Sequence, residues 1–172
     1  LKLESLIRPL LGHPGDLRIR SAAFHCLSTA LQAMPASLQE SSIGDGTLKY
    51  IYRSALERRQ DVWIQCAALS LLQSQSQASL DKALENRLMK PGDGDDLFVR
   101  RHVVRLLGAR LPVNADLACL VDQVLEDSSP AVRQVLPGIL LSAPVNLVRQ
   151  IEIDRAGRNT LEQVFPDTHG AA

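Results

Sequence analysis

Apolar residues recur along this chain at steps of three and four, the period of one face of an α-helix. One short pattern opens four of these stretches: Asp16 to Ala23, Asp61 to Ala68, Asp96 to Val103 and Ser129 to Leu136. The copies are offset by 45, 35 and 33 residues. Their first column, Asp16, Asp61, Asp96 and Ser129, consists of residues that cap helix N-termini. Three positions on stand Ile19, Ile64, Val99 and Val132. Further along the same stripe come Ala23, Ala68, Val103 and Leu136, then Leu27, Leu72, Leu107 and Leu140. Each copy therefore predicts a capped amphipathic helix. Pro130 falls at the first helical position, which proline tolerates. Pro137 and Gly138 fall inside the fourth helix and predict a kink or a break.

A second amphipathic segment precedes each capped helix. These segments are Leu3-Leu6-Ile7-Leu10, Leu48-Ile51-Tyr52-Ala55, Leu80-Ala83-Leu84-Leu88 and Leu117-Leu120-Val121-Val124-Leu125. Short polar turns join them to the capped helices. The unit is helix, turn, capped helix, with pairs at about 1–34, 47–74, 79–111 and 114–143 and a degenerate unit over 145–165. Residues 166–172 read as a disordered tail, and 1–165 as a single domain. One pair cannot bury both of its apolar faces, whereas stacked pairs share a continuous core. The expected fold is all-α: an α-solenoid, a right-handed superhelix of stacked antiparallel helix pairs.

Composition supports helix over strand, since only 3% of the 172 residues are aromatic and Leu and Ala outnumber Val and Ile. Nineteen basic residues balance nineteen acidic ones, which argues against a bulk polyanion binder. No apolar run is long enough to span a bilayer. The first residues read as mid-helix without a leading Met. The chain therefore reads as part of a longer protein, with further repeats flanking its N-terminus. Cys26, Cys66 and Cys119 are odd in number and widely spaced, so a reduced, cytoplasmic setting is expected.

The capped-helix pattern, seen as Asp96-Leu97-Phe98-Val99-Arg100 and Ser129-Pro130-Ala131-Val132-Arg133, resembles the HEAT repeat. Asp16 to Arg20 matches with Ile for Val, and Asp61 to Gln65 departs by carrying Gln in place of Arg. The short offsets are similar to those of compact bacterial HEAT-like repeats, including the phycobilisome lyase type. The resemblance implies a structural ladder between repeats. In it Asp16, Asp61 and Asp96 form one rail and Arg20, Arg100 and Arg133 the other, with a gap at Gln65. It also implies that the second helix of each pair lines a concave binding surface. Such proteins are mostly scaffolds, so a non-enzymatic protein–protein interaction module is expected.

On that face, Arg18, Trp63 and Phe98 occupy equivalent positions of successive helices, with Arg101 and Arg105 beside them. Trp and Arg are the residues most enriched in binding hot spots. The plainer reading is that Trp63 and Phe98 seal the seam between repeats. The alternative function is nucleic-acid binding through arginines, as HEAT-like alkylpurine DNA glycosylases use a basic concave surface. Here Glu57, Asp61, Asp95 and Asp96 offset that charge. A lyase- or chaperone-type enzyme accessory ranks lower, because no phosphate loop, dinucleotide fingerprint, zincin or nucleophile-elbow motif occurs. Cys26, next to Leu27, reads as a buried structural thiol. Asp93, Asp95 and Asp96 read as a solvated turn plus an N-cap. No catalytic residue, metal or cofactor is expected; a protein or peptide is the expected partner, and no membrane.

Overall fold

The computed structural model describes residues 3–34, 43–89 and 96–153. These are helical throughout, with no strand among the described residues. The elements are α1 (Leu3–Leu11), α2 (Leu17–Gln32), α3 (Asp45–Leu56), α4 (Val62–Gln75), α5 (Gln77–Met89) and α6 (Leu97–Arg110). A 3₁₀ turn, Ala115–Cys119, leads into α7 (Leu120–Leu125), followed by α8 (Pro130–Arg133) and α9 (Leu136–Ser142). Residues 145–153 are again helical.

Three of the expected caps form. The Asp16 carboxylate accepts from Arg18 N at 2.8 Å, Asp61 from Trp63 N at 2.9 Å, and Asp96 from Phe98 N at 2.7 Å. Each satisfies an N–H that a helix start leaves without an intrahelical partner. The fourth differs: Ser129 makes no side-chain cap bond. Asp127 Oδ1 instead accepts from Ser129 N at 2.8 Å, two residues earlier than the pattern implies.

The fourth capped helix breaks, as its proline requires. Proline lacks an N–H and clashes with the carbonyl four residues back. The chain therefore leaves α8 after Arg133 and restarts at Leu136, placing Pro137 in the first turn of α9, where it is tolerated.

Packing follows the stripes. α2 lies against α1 and α4, α4 against α3, α5 and α6, and α6 against α8 and α9. The preceding helices also touch in order, α3 with α5 and α5 with α7. Ile64, Val99 and Val132 are buried, as are Ala23, Ala68, Val103 and Leu136, and Leu27, Leu72 and Leu107. Two expected core positions differ. Ile19 is 37% exposed, and Leu6, Leu10 and Leu17 are exposed near it, because no described helix covers that side of α1 and α2. Leu140 is only half-buried, because the break re-registers α9 so that Leu136 and Ile139 face inward instead. Cys26 is exposed, not buried. One residue is about 100° of helix rotation, enough to carry Cys26 off the stripe that buries Leu27.

The expected linker at 36–46 lies mostly outside the described residues, as do Asp93, Asp95, the end of the degenerate unit and the tail at 166–172.

Candidate functional site

Trp63 and Phe98 each stand two residues beyond a capping Asp, at the first turn of α4 and α6. These two helices pack against each other, which brings equivalent positions to one side. The stripe residues Ile64 and Val99 take the inward direction, so their neighbours Trp63 and Phe98 turn outward. Trp63 is 73% exposed and Phe98 67% exposed. Neither seals a seam. Arg18 stands at the matching position of α2 and is exposed, as is Arg105 on α6; Arg101 is half-buried, with its Nε buried and without a hydrogen-bond partner. Arg18, Trp63, Phe98 and Arg105 thus form an exposed strip along the starts and outer faces of these helices.

Behind the strip, His102 of α6 and Ser70 of α4 share a hydrogen bond of 3.0 Å. Burial holds the His102 imidazole below its ordinary value, and the Arg105 charge adds to that. The Cys66 thiol, beside them on α4, is pushed up to about 11, first by burial and then by the Asp96 carboxylate. The hydrogen bond joins α4 to α6, and the raised Cys66 thiol stays protonated near neutral pH.

The Asp and Arg positions expected to form a ladder serve other partners. Asp16, Asp61 and Asp96 bond to the starts of their own helices. Arg20 donates through Nε to the Leu11 carbonyl at 3.2 Å and through Nη2 to the Tyr50 hydroxyl at 3.4 Å. Arg133 donates to the Asp127 carbonyl. Among the described contacts of these arginines, Arg100 alone reaches an acid in the next unit, pairing with Asp127 at 2.8 Å. Arg20 and Arg133 hold the turn that precedes their own helices, since carbonyls at a helix end lack intrahelical donors.

Gln65, the gap in the arginine column, performs the same task with help. Its Nε2 donates to Gln60 O at 2.6 Å, and its Oε1 accepts from Arg87 Nη2 at 2.6 Å. Arg87 reaches in from α5 and donates through Nε to the Ala55 carbonyl at 3.0 Å. A buried guanidinium from the next unit thus closes the end of α3. Arg87 was legible as a polar residue on the apolar stripe of Leu80, Ala83 and Leu84.

Among the described residues no group of three or more His, Cys, Asp or Glu could hold a metal ion, and no helix is long and apolar enough to cross a membrane. No protein-family model, no curated protein and no solved structure matches this chain.

Proposed function

We propose that this chain is a HEAT-like α-solenoid module that binds a protein or peptide and has no catalytic activity of its own. The carrying observation is the exposure of Trp63 and Phe98 at equivalent positions of two helices in contact. Large exposed aromatics gain from being covered by a partner, and Trp and Arg are enriched among the residues that carry binding energy at interface centres. The order of contacts, α2 to α4 to α6 and α3 to α5 to α7, supports two stacked rows of helices. A repeated unit with a recurring cap and a recurring turn-holding column supports the HEAT-like reading. The cytoplasm, where three unpaired thiols stay reduced, is the compartment that suits it.

Trp63 is the chain's one tryptophan, so its fluorescence reports directly on this strip. Titration with a peptide library is expected to yield ligands that blue-shift its emission and lose affinity tenfold or more with Phe98→Ala, on the order of 1.4 kcal/mol. Ligands that bind without moving the emission, or that ignore Phe98→Ala, would refute the assignment of this face.

Nucleic acid is the second reading, because aromatics beside Arg18, Arg101 and Arg105 could stack bases and meet phosphates. The capping acids Asp61 and Asp96 and the zero net charge weigh against it. Fluorescence anisotropy with labelled duplex and single strands at about 50 and 200 mM salt separates the two, since phosphate binding collapses with salt.

A further inference from the structure

We infer that the groove between α1 and α3 is a binding site for a small diphosphate-bearing ligand, held by Arg8 from one wall and Lys49 and Arg53 from the other. The groove has a volume of about 440 Å³ and is completed by Gly12, Gly46 and Tyr50. It lies on the preceding row of helices, and the inference is independent of the protein-binding strip on α2, α4 and α6.

Charge is the first argument. The chain as a whole is neutral, yet the described residues that line this groove include three cations and no carboxylate. Lys49 and Arg53 are four residues apart, so they project from one face of α3 a turn apart. Arg8 stands on α1, one turn before Gly12. The nearest acids along α3, Asp45 and Glu57, lie a turn beyond each end of the basic pair and line the adjoining groove, which Lys49 and Arg53 also border. Their attraction for Lys49 and Arg53 is that of exposed helix neighbours, which solvent and salt screen.

Shape is the second argument. A Cβ on Gly46 would stand 3.3 Å from Arg8 Nη2, 3.6 Å from its Cζ and 3.7 Å from its Nη1. The guanidinium of Arg8 therefore lies against bare backbone in the first turn of α3. Gly44, which precedes that helix, supplies no side-chain cap bond. Asp45 in the first turn offsets the positive end of α3, so the Arg8 guanidinium supplies the charge at this place. The Tyr50 wall is fixed: its hydroxyl donates to Leu11 O at 2.7 Å and accepts from Arg20, and its ring stacks on Phe24 with centroids 6.4 Å apart.

These features select the ligand class. Guanidinium groups are planar forks that match phosphate oxygens, and they stay charged at every physiological pH. Cations on opposite walls suit an anion with two charged groups better than one with a single centre. A free diphosphate and a diphosphate ester share this chemistry.

Isothermal titration calorimetry on the whole chain tests it, with inorganic pyrophosphate, adenosine diphosphate and sulfate at matched ionic strength. Pyrophosphate is expected to bind at least tenfold tighter than sulfate. Arg8→Gln and Arg53→Gln should each weaken it by about tenfold, the worth of a charge-assisted bond. Arg149→Gln, in the helix over 145–153, should leave it unchanged. All three side chains altered are exposed, so folding is retained. Tighter binding of adenosine diphosphate than of pyrophosphate would identify an ester as the ligand; equal or weaker binding would identify the free anion. The inference fails if pyrophosphate binds no tighter than sulfate, or if Arg8→Gln and Arg53→Gln keep full affinity.

Discussion

Arg110 at the end of α6 grips both carboxylate oxygens of Asp81 on α5, Nε to Oδ1 at 2.7 Å and Nη2 to Oδ2 at 2.9 Å. Its remaining Nη1 donates to Gln77 Oε1 at 2.7 Å, and Asn114 Nδ2 donates to Asp81 Oδ2 at 2.9 Å. The Arg110 side chain is buried and that of Asp81 nearly so. Removing one member of such a pair leaves an uncompensated charge in low dielectric. Asp81→Ala is expected to cost about 3 kcal/mol. Urea unfolding checks it; a loss within experimental error would mean that water replaces the carboxylate freely.

The same pair makes stability depend on acid. The hydrogen bond from Arg110 holds the Asp81 carboxyl below its usual range, and the bond from Asn114 adds to this. A carboxyl lowered by folding contributes stability that is complete above its unfolded value of about 4. That contribution is lost as pH falls through the lower folded value. Asp81→Asn should therefore be less stable than the wild type at pH 7, and the gap should narrow below pH ~3. Urea midpoints across that range measure the gap, and a constant gap would contradict the assignment.

Gln65 offers a test that runs against the repeat pattern. Three of the four copies carry Arg at this position, so the pattern alone recommends Gln65→Arg as a stabilising change. The structure predicts the reverse. Arg87 Nη2 already lies 2.6 Å from Gln65 Oε1, in a buried site. A second guanidinium there meets the first without an acid between them. Gln65→Arg is expected to destabilise by about 2 kcal/mol. Gln65→Arg combined with Arg87→Met should recover part of that loss.

Much of the fold was legible because the signals are local. Asp16, Asp61 and Asp96 cap where the pattern places them, and Pro137 breaks its helix for a reason internal to proline. The stripes identified the core wherever a neighbouring helix exists to cover them. Ile19 fits its column as well as Ile64 does, yet burial also requires a partner that periodicity cannot supply. The partners of the arginine column were not legible for a related reason. Spacing shows that Arg20, Arg100 and Arg133 share a face, but the acceptor depends on which turn the fold brings near. Arg87 and Arg110 were readable as arginines on apolar stripes, and such residues mark buried networks whose partners only the packing names. The exposure of Trp63 and Phe98 was undecidable from sequence, because a position beside the stripe can face a seam or solvent.

Exposure of the strip separates binding from stability. Trp63→Ala and Phe98→Ala are each expected to change unfolding free energy by less than about 1 kcal/mol, because the lost area is mostly solvated already. Leu72→Ala, from the fully buried stripe, should cost about 3 kcal/mol. A comparable loss at Trp63 would return it to the seam between repeats.

Thiol chemistry distinguishes the three cysteines. Cys26 and Cys119 are exposed, whereas Cys66 is half-buried with its thiol pushed up to about 11. Only the thiolate reacts with alkylating agents. Iodoacetamide at pH ~8 should label Cys26 and Cys119 in the folded protein well before Cys66, and all three alike in urea. Peptide mass spectrometry reads the order directly. Early labelling of Cys66 would mean that α4 and α6 separate readily.

Gly108 sets the distance between α6 and α9. A Cβ there would stand 2.5 Å from Ile139 Cγ1 and 2.6 Å from Cγ2. Those atoms sit next to the Ile139 backbone, so a rotamer change cannot clear both, and the helices must move apart. Alanine in a helix interior gains about 1 kcal/mol over glycine. Overpacking of this kind costs typically 1–3 kcal/mol. Gly108→Ala is therefore expected to be net destabilising, by about 1 kcal/mol. Ile139→Ala alone should also destabilise, through lost burial. The double variant should be more stable than the two separate losses predict, because the new methyl occupies space that the isoleucine vacates. A thermodynamic cycle from urea unfolding gives that coupling. Strict additivity would mean that α9 does not rest on Gly108 in solution.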